Sequence, residues 1–255
     1  MDGAAVRDVA RRLRAAGCVA ADEEAAELVA MARNGEHLDA MIARRVGGEP
    51  LAWITGAVTF CGMNVTVAPG VYVPRWQSEV VALEAASRLR DGGRAVDLCC
   101  GSGAVAKVLT RRVPASEVVA TDLDDRAVAC ARSNGVDARP GDLFGPVGAA
   151  WRGTVDVVVA VPPYVPTDHL AKLAPTPEPR VALDGGGDGL AVIRRVVETS
   201  PAWLREGGSL VVELGAPQVD VVTRVVASRG FTDVEVLRDG DDDVCGVACR
   251  FRQPR

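Results

Sequence analysis

The stretch Ala95-Val96-Asp97-Leu98-Cys99-Cys100-Gly101-Ser102-Gly103-Ala104 decides the fold of this chain. An apolar run enters it, a pair of glycines follows, and apolar residues at helical spacing continue through Leu109. This order is typical of a strand, a tight turn and the start of a helix. A glycine lets the backbone come close to a ligand, because no side chain fills the space. The stretch therefore predicts a ligand-binding turn at the end of a strand.

A second apolar run, residues 117–122, ends in Asp122, which stands 21 positions after Gly101. An acid at the tip of the second strand suits the two hydroxyls of a ribose. Together the turn and the acid predict a pocket for a nucleoside-containing cofactor. They do not determine which cofactor binds, because Gly101-x-Gly103-x-x-Ala106 also fits the loose dinucleotide pattern of nicotinamide enzymes.

Composition limits the class of protein. The chain has 255 residues, of which 48% are hydrophobic and 25% charged, enough for one large and one small globular domain. The net charge of −5 argues against a nucleic-acid partner held by overall charge. No apolar run is long enough for a membrane span, and the N-terminal residues lack the pattern of a secretory signal. We therefore expect a cytoplasmic protein with no membrane partner and no direct nucleic-acid partner.

The cysteines point to the same compartment. There are seven, an odd number at irregular spacing, which argues against a disulfide framework. Their positions also do not form a zinc-binding pattern, so no metal is expected. Free thiols in a reducing cytoplasm fit this usage.

The period of the apolar residues divides the chain into three parts. Residues 1–50 read as a small helical domain, with a third helix from about Leu38 to Val46. Residues 51–75 read as a linking β-hairpin, with short strands between Trp53 and Pro74 that break at Cys61-Gly62 and at Pro69-Gly70. A helix over about 77–90 opens the third part, residues 76–255.

Strands and helices alternate through this third part. Strands are predicted at 94–99, 117–122, 136–139, 155–160, 207–214, 231–237 and 244–251. Helices are predicted at 103–112, 124–133, 188–205 and 216–229. Such alternation implies an α/β fold with a mainly parallel, Rossmann-like sheet of seven strands covered by helices. The last two strands follow one another without a helix, which predicts an antiparallel final strand.

Several motifs occur in the order and spacing of one known family. They are Ile54-Thr55-Gly56 with Phe60 and Gly62, Val96-Asp97-Leu98 with Gly101-Ser102-Gly103, Asp122, Gly141-Asp142-Leu143-Phe144, Pro162-Pro163-Tyr164, Glu178 to Gly186, and Val212-Glu213-Leu214-Gly215 with Gln218. From about Gly47 onward the chain resembles the glutamine N5-methyltransferases that modify bacterial peptide-chain release factors, and in particular an actinobacterial-type branch of their relatives. The resemblance implies a class I methyltransferase domain behind the helical domain and hairpin, and S-adenosylmethionine as cofactor.

The resemblance also implies roles for residues. The set expected to bind the cofactor is Asp97, Cys99, Gly101, Ser102, Gly103, Asp122, Leu123, Asp142 and Leu143, where Asp97 either contacts the ligand or only orients the glycine turn. The set expected at the methyl-transfer site is Val161, Pro162 and Tyr164. The set expected to bind substrate is Arg75, Trp76, Pro163, Glu178 and Arg180.

Two departures from the family pattern fall where cofactor and substrate should meet. Val161 stands in place of the asparagine of the Asn-Pro-Pro-Tyr signature, and Trp76-Gln77-Ser78 replaces Pro-Glu-Thr in a Pro-Arg-Pro-Glu-Thr-Glu segment. In the family that asparagine accepts a hydrogen bond from the substrate amide, which valine does not do. Three interpretations follow. The chain methylates a release-factor glutamine with a substitute acceptor such as Thr167, Asp168 or His169; it methylates a nitrogen or oxygen of a small molecule or peptide; or it binds the cofactor without catalysis.

Overall fold

The computed structural model describes residues 3–172 and 176–253. Three helices come first: α1 (Gly3–Ala15), α2 (Ala21–Met31) and α3 (Gly35–Val46). Their apolar faces form a core of their own around Leu13, Leu28 and Ile42. The predicted helical domain includes residues 1–2, which lie outside the described residues. The third helix begins earlier than predicted, because the Asn34 side chain accepts a hydrogen bond from the backbone N of His37 and caps it.

The segment after these helices differs in part from its prediction. The helical part was predicted to end before residue 51, but a further short helix, α4 (Leu51–Thr55), forms and ends at Gly56 with φ of +87°. The hairpin follows as β1 (Ala57–Phe60) and β2 (Met63–Thr66), with its turn at Cys61-Gly62 as predicted. Val71 and Val73, predicted to lie in strands, are buried in an irregular segment. Apolar spacing alone did not distinguish buried extended chain from a paired strand.

The rest of the chain alternates as predicted. The elements are α5 (Gln77–Arg88), β3 (Arg94–Leu98), α6 (Ala104–Arg112), β4 (Glu117–Asp122), α7 (Asp125–Ser133), β5 (Ala138–Pro140), β6 (Val155–Ala160), α8 (Thr167–Leu170), α9 (Ala191–Thr199), β7 (Leu204–Glu213), α10 (Val219–Ser228), β8 (Phe231–Arg238) and β9 (Val244–Phe251). The strands form one sheet in the order β5-β4-β3-β6-β7-β9-β8. The first five are parallel, and β9 runs antiparallel to both of its neighbours. The predicted α/β class and seven-stranded sheet are confirmed.

One helix was predicted too long. The interval 188–205 contains α9, which ends at Thr199, a single helical turn at Ser200–Ala202, and the first residues of β7. Pro201 lies in that turn, where its missing N–H costs least. Strand β7 therefore starts at Leu204, three residues before the predicted start.

The sheet brings the carboxyl ends of its parallel strands to one edge. Strands β3, β4, β6 and β7 end at Leu98, Asp122, Ala160 and Glu213. Open parallel sheets bind ligands at this edge. Helix α5 packs against β6 and β7, so its first turn lies near the same edge. Within the described ranges, no helix is long and apolar enough to cross a membrane.

Candidate functional site

A cavity of about 640 Å³ opens at this carboxyl edge. Its wall comes from the turns after β3, β4 and β6, from the segment before α5 and its first turn, and from the loop that leads to α9. Most of the wall is apolar, as is usual for a pocket that takes a small organic ligand. Among the described residues, no group of three or more His, Cys, Asp or Glu side chains is arranged to hold a metal ion.

The two glycines of the turn have different roles. Both have positive φ, +54° at Gly101 and +76° at Gly103, which favours glycine. A Cβ built on Gly101 meets no atom within 4 Å, and Gly101 and Ser102 line the cavity. A Cβ on Gly103 would lie 2.8 Å from the Cβ of Ala131 in α7. Gly101 therefore borders open space, whereas Gly103 allows the turn to pack against a helix. Cys99 also lines the cavity and also has positive φ, +59°.

Asp97 lies beneath the turn, outside the cavity wall. Its side chain is fully buried, and Oδ2 accepts a hydrogen bond of 3.0 Å from the backbone N of Ala106. Burial raises the pKa of this carboxyl to about 7, an effect opposed by that hydrogen bond. Of the two roles predicted for Asp97, this position favours support of the turn over contact with a ligand.

Asp122 lines the cavity and ties the turn to the next strand. Its Oδ2 accepts from the backbone N of Gly101 at 2.8 Å, and its Oδ1 accepts from the backbone N of Asp124 at 2.9 Å. Burial raises its pKa from the ordinary value, and the backbone N–H groups of Asp124, Gly101 and Leu123 lower it. A carboxylate offers about four lone pairs, so Asp122 keeps capacity to accept from a ligand hydroxyl. Leu123 follows it on the rim with 62% of its surface exposed.

Asp142 and Leu143, two of the residues predicted to bind the cofactor, lie on the cavity wall after β5. Leu143 is buried with φ of +46°, which brings its backbone against the cavity. Asp142 is exposed and forms an ion pair with Arg195 of α9, another wall residue. Arg195 was not predicted from the sequence, since it lies in a helix without a motif.

The Val161-Pro162-Pro163-Tyr164 segment follows β6 at the opposite part of the cavity. Val161 and Pro163 line the wall, whereas Pro162 is buried. The backbone carbonyl of Tyr164 accepts a 2.9 Å hydrogen bond from Nε2 of Gln218, which fixes the turn. Burial raises the pKa of the Tyr164 hydroxyl well above its ordinary value. Gln218 therefore fixes the turn beside the cavity, and the Tyr164 hydroxyl is largely removed from solvent.

The three substitute acceptors suggested by the sequence are placed differently. Thr167 lines the cavity, and its hydroxyl donates to Oδ1 of Asp184 at 2.6 Å. Asp168 and His169 are exposed in α8, outside the wall.

The residues predicted to bind substrate form two groups. Arg75 pairs with the buried carboxylate of Glu178, which also accepts from the backbone N of Val73 at 2.9 Å. The Arg75 guanidinium lies 4.9 Å from the centre of the Tyr72 ring. These contacts fasten the segment before α5 to the loop at 176–180. Trp76 is 58% exposed beside this segment, outside the wall.

Arg180 and Pro163 belong to the wall itself. Arg180 is exposed, and its guanidinium donates to Oδ2 of Asp184 at 3.0 Å.

Two further polar residues, Ser78 and Glu213, occur at this end and were absent from the predicted site. Ser78 is buried in the first turn of α5 and lines the cavity. Glu213 ends β7 and is 1% exposed. Burial raises its pKa to about 6, while the hydroxyls of Ser78 and Tyr164 and the charge of Arg75 lower it. The signal in the sequence was an acid at the end of an otherwise apolar strand.

Known proteins resemble the chain along most of its length. The family model for the methyltransferase small domain matches residues 78–174. A release factor glutamine methyltransferase of Geobacter sulfurreducens is 38% identical over 217 residues, which cover 81% of this chain and 75% of that protein. One of Streptomyces coelicolor is 38% identical over 205 residues, 76% of this chain and 73% of that protein.

A solved structure supports the fold independently. A methyltransferase from Pyrococcus furiosus matches with a TM-score of 0.56 and 18% identity over 83% of this chain and 98% of that one. Both curated relatives exceed 30% identity, and the matched residues cover more than two thirds of this chain. The chain therefore belongs to the release factor glutamine methyltransferase family.

Proposed function

We propose that the chain transfers the methyl group of S-adenosylmethionine to the side-chain amide nitrogen of a glutamine in a peptide-chain release factor. One observation carries the proposal: a single cavity joins the Gly101–Asp122 cradle to the Val161-Pro162-Pro163-Tyr164 turn. Membership of the family supports the reaction and its substrate class.

The residues present fit the cofactor. The cavity wall leaves open space at Gly101 and a carboxylate with spare lone pairs at Asp122. The buried hydroxyls of Ser102 and Thr121 also lie in the wall, and neither has a hydrogen-bond partner among the described residues. Asp122 would hold the ribose, and Asp142 with Leu143 would hold the adenine. S-adenosylmethionine supplies an electrophilic methyl group when bound.

The chain's own contribution is to position the nucleophile. An amide nitrogen is a poor nucleophile, so its lone pair must be directed at the methyl group at close range, and alignment of this kind supplies roughly 7–11 kcal/mol. Val161, Pro163 and Phe60 give the transfer end an apolar wall, which excludes water and strengthens each remaining polar contact. The backbone carbonyl of Pro162 is the acceptor that the signature retains for the substrate N–H.

Val161 favours a second candidate function. Without the acceptor of the family asparagine, the site suits a nucleophile that needs less polarisation, such as an amine or hydroxyl of a small molecule or peptide. A cofactor-binding module without transfer is the third candidate. The identity of the methyl acceptor distinguishes these three candidate functions.

We propose that the protein works in the cytoplasm, where release factors act, and that it needs neither a membrane nor nucleic acid as partner. We also propose the division into a helical domain (1–50), a linker (51–75) and a methyltransferase domain (76–255). The separate core of α1 to α3 supports the first boundary. Leu51 and Ile54 pack against that core while Trp53 packs with Val67 and Val73, which supports a linking role for this segment.

The test is a transfer assay with labelled S-adenosylmethionine and a bacterial release factor. Label on the wild-type factor, and none on a variant with alanine in place of the glutamine of its Gly-Gly-Gln loop, is the expected result. If cofactor binds but no label is transferred, the proposal for a release-factor substrate is wrong, and a screen of small amines and alcohols decides between the other two candidates.

A further inference from the structure

The position of the missing family asparagine has a carboxylate beside it. In the parallel pairing of β6 with β7, Ala160 lies opposite Val212. Val161 follows the end of β6 and Glu213 is the last residue of β7, so the two occur at neighbouring strand ends on the carboxyl edge of the sheet. Valine has no hydrogen-bonding atom in its side chain, whereas Glu213 brings a carboxylate to the adjacent strand end.

Glu213 is not itself part of the cavity wall. Ser78 is 3% exposed, belongs to the wall, and lies on α5, which packs against the strand that Glu213 ends. Oγ of Ser78 and Oε2 of Glu213 are both buried without a partner in hydrogen-bond geometry among the described side chains and backbone. The two are nevertheless close enough for the Ser78 hydroxyl to lower the pKa of the Glu213 carboxyl. A buried polar atom without a partner costs free energy unless a ligand satisfies it.

Several ionisable or polar groups face Glu213 from the surrounding elements. They are Ser78 and Arg75 from α5 and the segment before it, Tyr164 after β6, Tyr72 before α5, and Cys245 of β9. Arg75 is engaged with Glu178, and the Tyr164 hydroxyl is engaged with Glu213 itself. Among these groups, Ser78 combines a hydroxyl with a place in the cavity wall and an unused hydrogen-bonding capacity.

We infer that the Ser78 hydroxyl accepts a hydrogen bond from the N–H of the substrate amide, in place of the family asparagine at position 161. We also infer that Glu213 orients the Ser78 hydroxyl. A serine hydroxyl has one donor and two acceptor lone pairs. When its hydrogen points to the Glu213 carboxylate, the lone pairs are free to accept from an N–H in the cavity. The negative charge behind the hydroxyl makes its oxygen a stronger acceptor. This inference rests on the proposed function, since it concerns an amide substrate.

The test compares three variants of α5 in the release-factor assay, with S-adenosylmethionine affinity measured by calorimetry for each. Ser78→Ala removes the acceptor, and kcat should fall by about 10²-fold, the lower end of the cost of one preorganised polar contact. Ser78→Thr keeps a hydroxyl and should retain most of the activity. Ser87→Ala is the matched control, because Ser87 is exposed on the same helix and donates to the backbone of Glu84. Cofactor affinity should be unchanged throughout.

Glu213→Gln provides a readout that a structural role alone would not change. The wild-type kcat should rise with pH as Glu213 ionises, and Glu213→Gln should lose this dependence together with most of its activity. The losses in Ser78→Ala and Glu213→Gln should not add in the double variant, because both act on one contact. If Ser78→Ala and Ser87→Ala have equal kcat, the inference about Ser78 is wrong, whereas the proposed function is unaffected. A wild-type protein that binds cofactor and labels no glutamine overturns the proposed function and this inference with it.

Discussion

Asp122 Oδ2 accepts a hydrogen bond from the backbone N of Gly101 at 2.8 Å, so the acid at the end of β4 closes the glycine turn at the end of β3. The same carboxylate faces the cavity. One side chain thus orders the cofactor turn and offers acceptors to a ligand. The contact joins the ends of two neighbouring strands, β3 and β4, at the ligand-binding edge of the sheet.

Asp122→Ala should therefore weaken S-adenosylmethionine binding by about 10²-fold, since it removes charge-assisted hydrogen bonds to two ribose hydroxyls at about 1.5–3 kcal/mol each before compensation by water. Calorimetry measures the dissociation constant directly. Asp125→Ala, an exposed acid in the first turn of α7, is the control and should bind normally. Equal affinities in the two variants would remove Asp122 from the cofactor site.

The two glycines of the turn should respond differently to the same substitution. Gly103→Ala places a Cβ 2.8 Å from that of Ala131, so it should lower the free energy of unfolding by about 1–3 kcal/mol more than Gly101→Ala does, the usual cost of overpacking. Gly101→Ala adds a methyl group in open space beside the ligand, so its main effect should be on cofactor affinity. Chemical unfolding and calorimetry on both variants measure the two effects. The reverse ranking in both measurements would contradict the assignment.

The sequence predicted the parts of this site that local pattern encodes. Gly101 and Asp122 follow apolar runs that become adjacent parallel strands, and the β6 run from Val155 to Ala160 is buried throughout. Ser78 and Glu213 escaped prediction because they are distant in sequence. Only the packing of α5 on β7 brings them together, and no spacing along the chain records that contact.

The errors in the fold have related causes. The run 188–205 keeps apolar residues at helical spacing beyond Thr199, but Pro201 and the pairing of β7 with β6 end the helix. Leu51–Thr55 is helical because its apolar residues pack on two cores at once, which a short segment does not show by itself.

Stability should change with pH through Glu213. Burial raises its pKa from the ordinary 4.5 to about 6, so the folded state binds the proton more tightly than the unfolded state. The stabilisation is full below the unfolded pKa and is lost as pH rises through the folded one. The free energy of unfolding should therefore fall by about 2 kcal/mol across this interval from Glu213 alone, at about 1.4 kcal/mol per unit of pKa.

The measurement is urea unfolding at several pH values for the wild type and Glu213→Gln. Asp97, whose pKa burial raises to about 7, contributes a fall of the same sign in both proteins, so their difference isolates Glu213. Glu27→Gln, an exposed acid on α2, is the control and should follow the wild-type curve. Parallel curves for the wild type and Glu213→Gln would show that Glu213 does not titrate in this interval.

Val161→Asn restores the amide of the family signature and should raise methylation of glutamine. If Ser78 already accepts from the substrate, the added acceptor is partly redundant in the wild type, so a gain of severalfold is expected there. In Ser78→Ala the same substitution replaces a lost contact and should recover about 10²-fold in kcat.

The control is Val161→Leu, which has as many side-chain heavy atoms as asparagine but no acceptor, and it should give no gain in either background. An equal gain from Val161→Asn in both backgrounds would show that the two acceptors act independently. No gain in either, with cofactor affinity intact, would show that the amide nitrogen is not held at position 161 and would favour the small-molecule or peptide substrate.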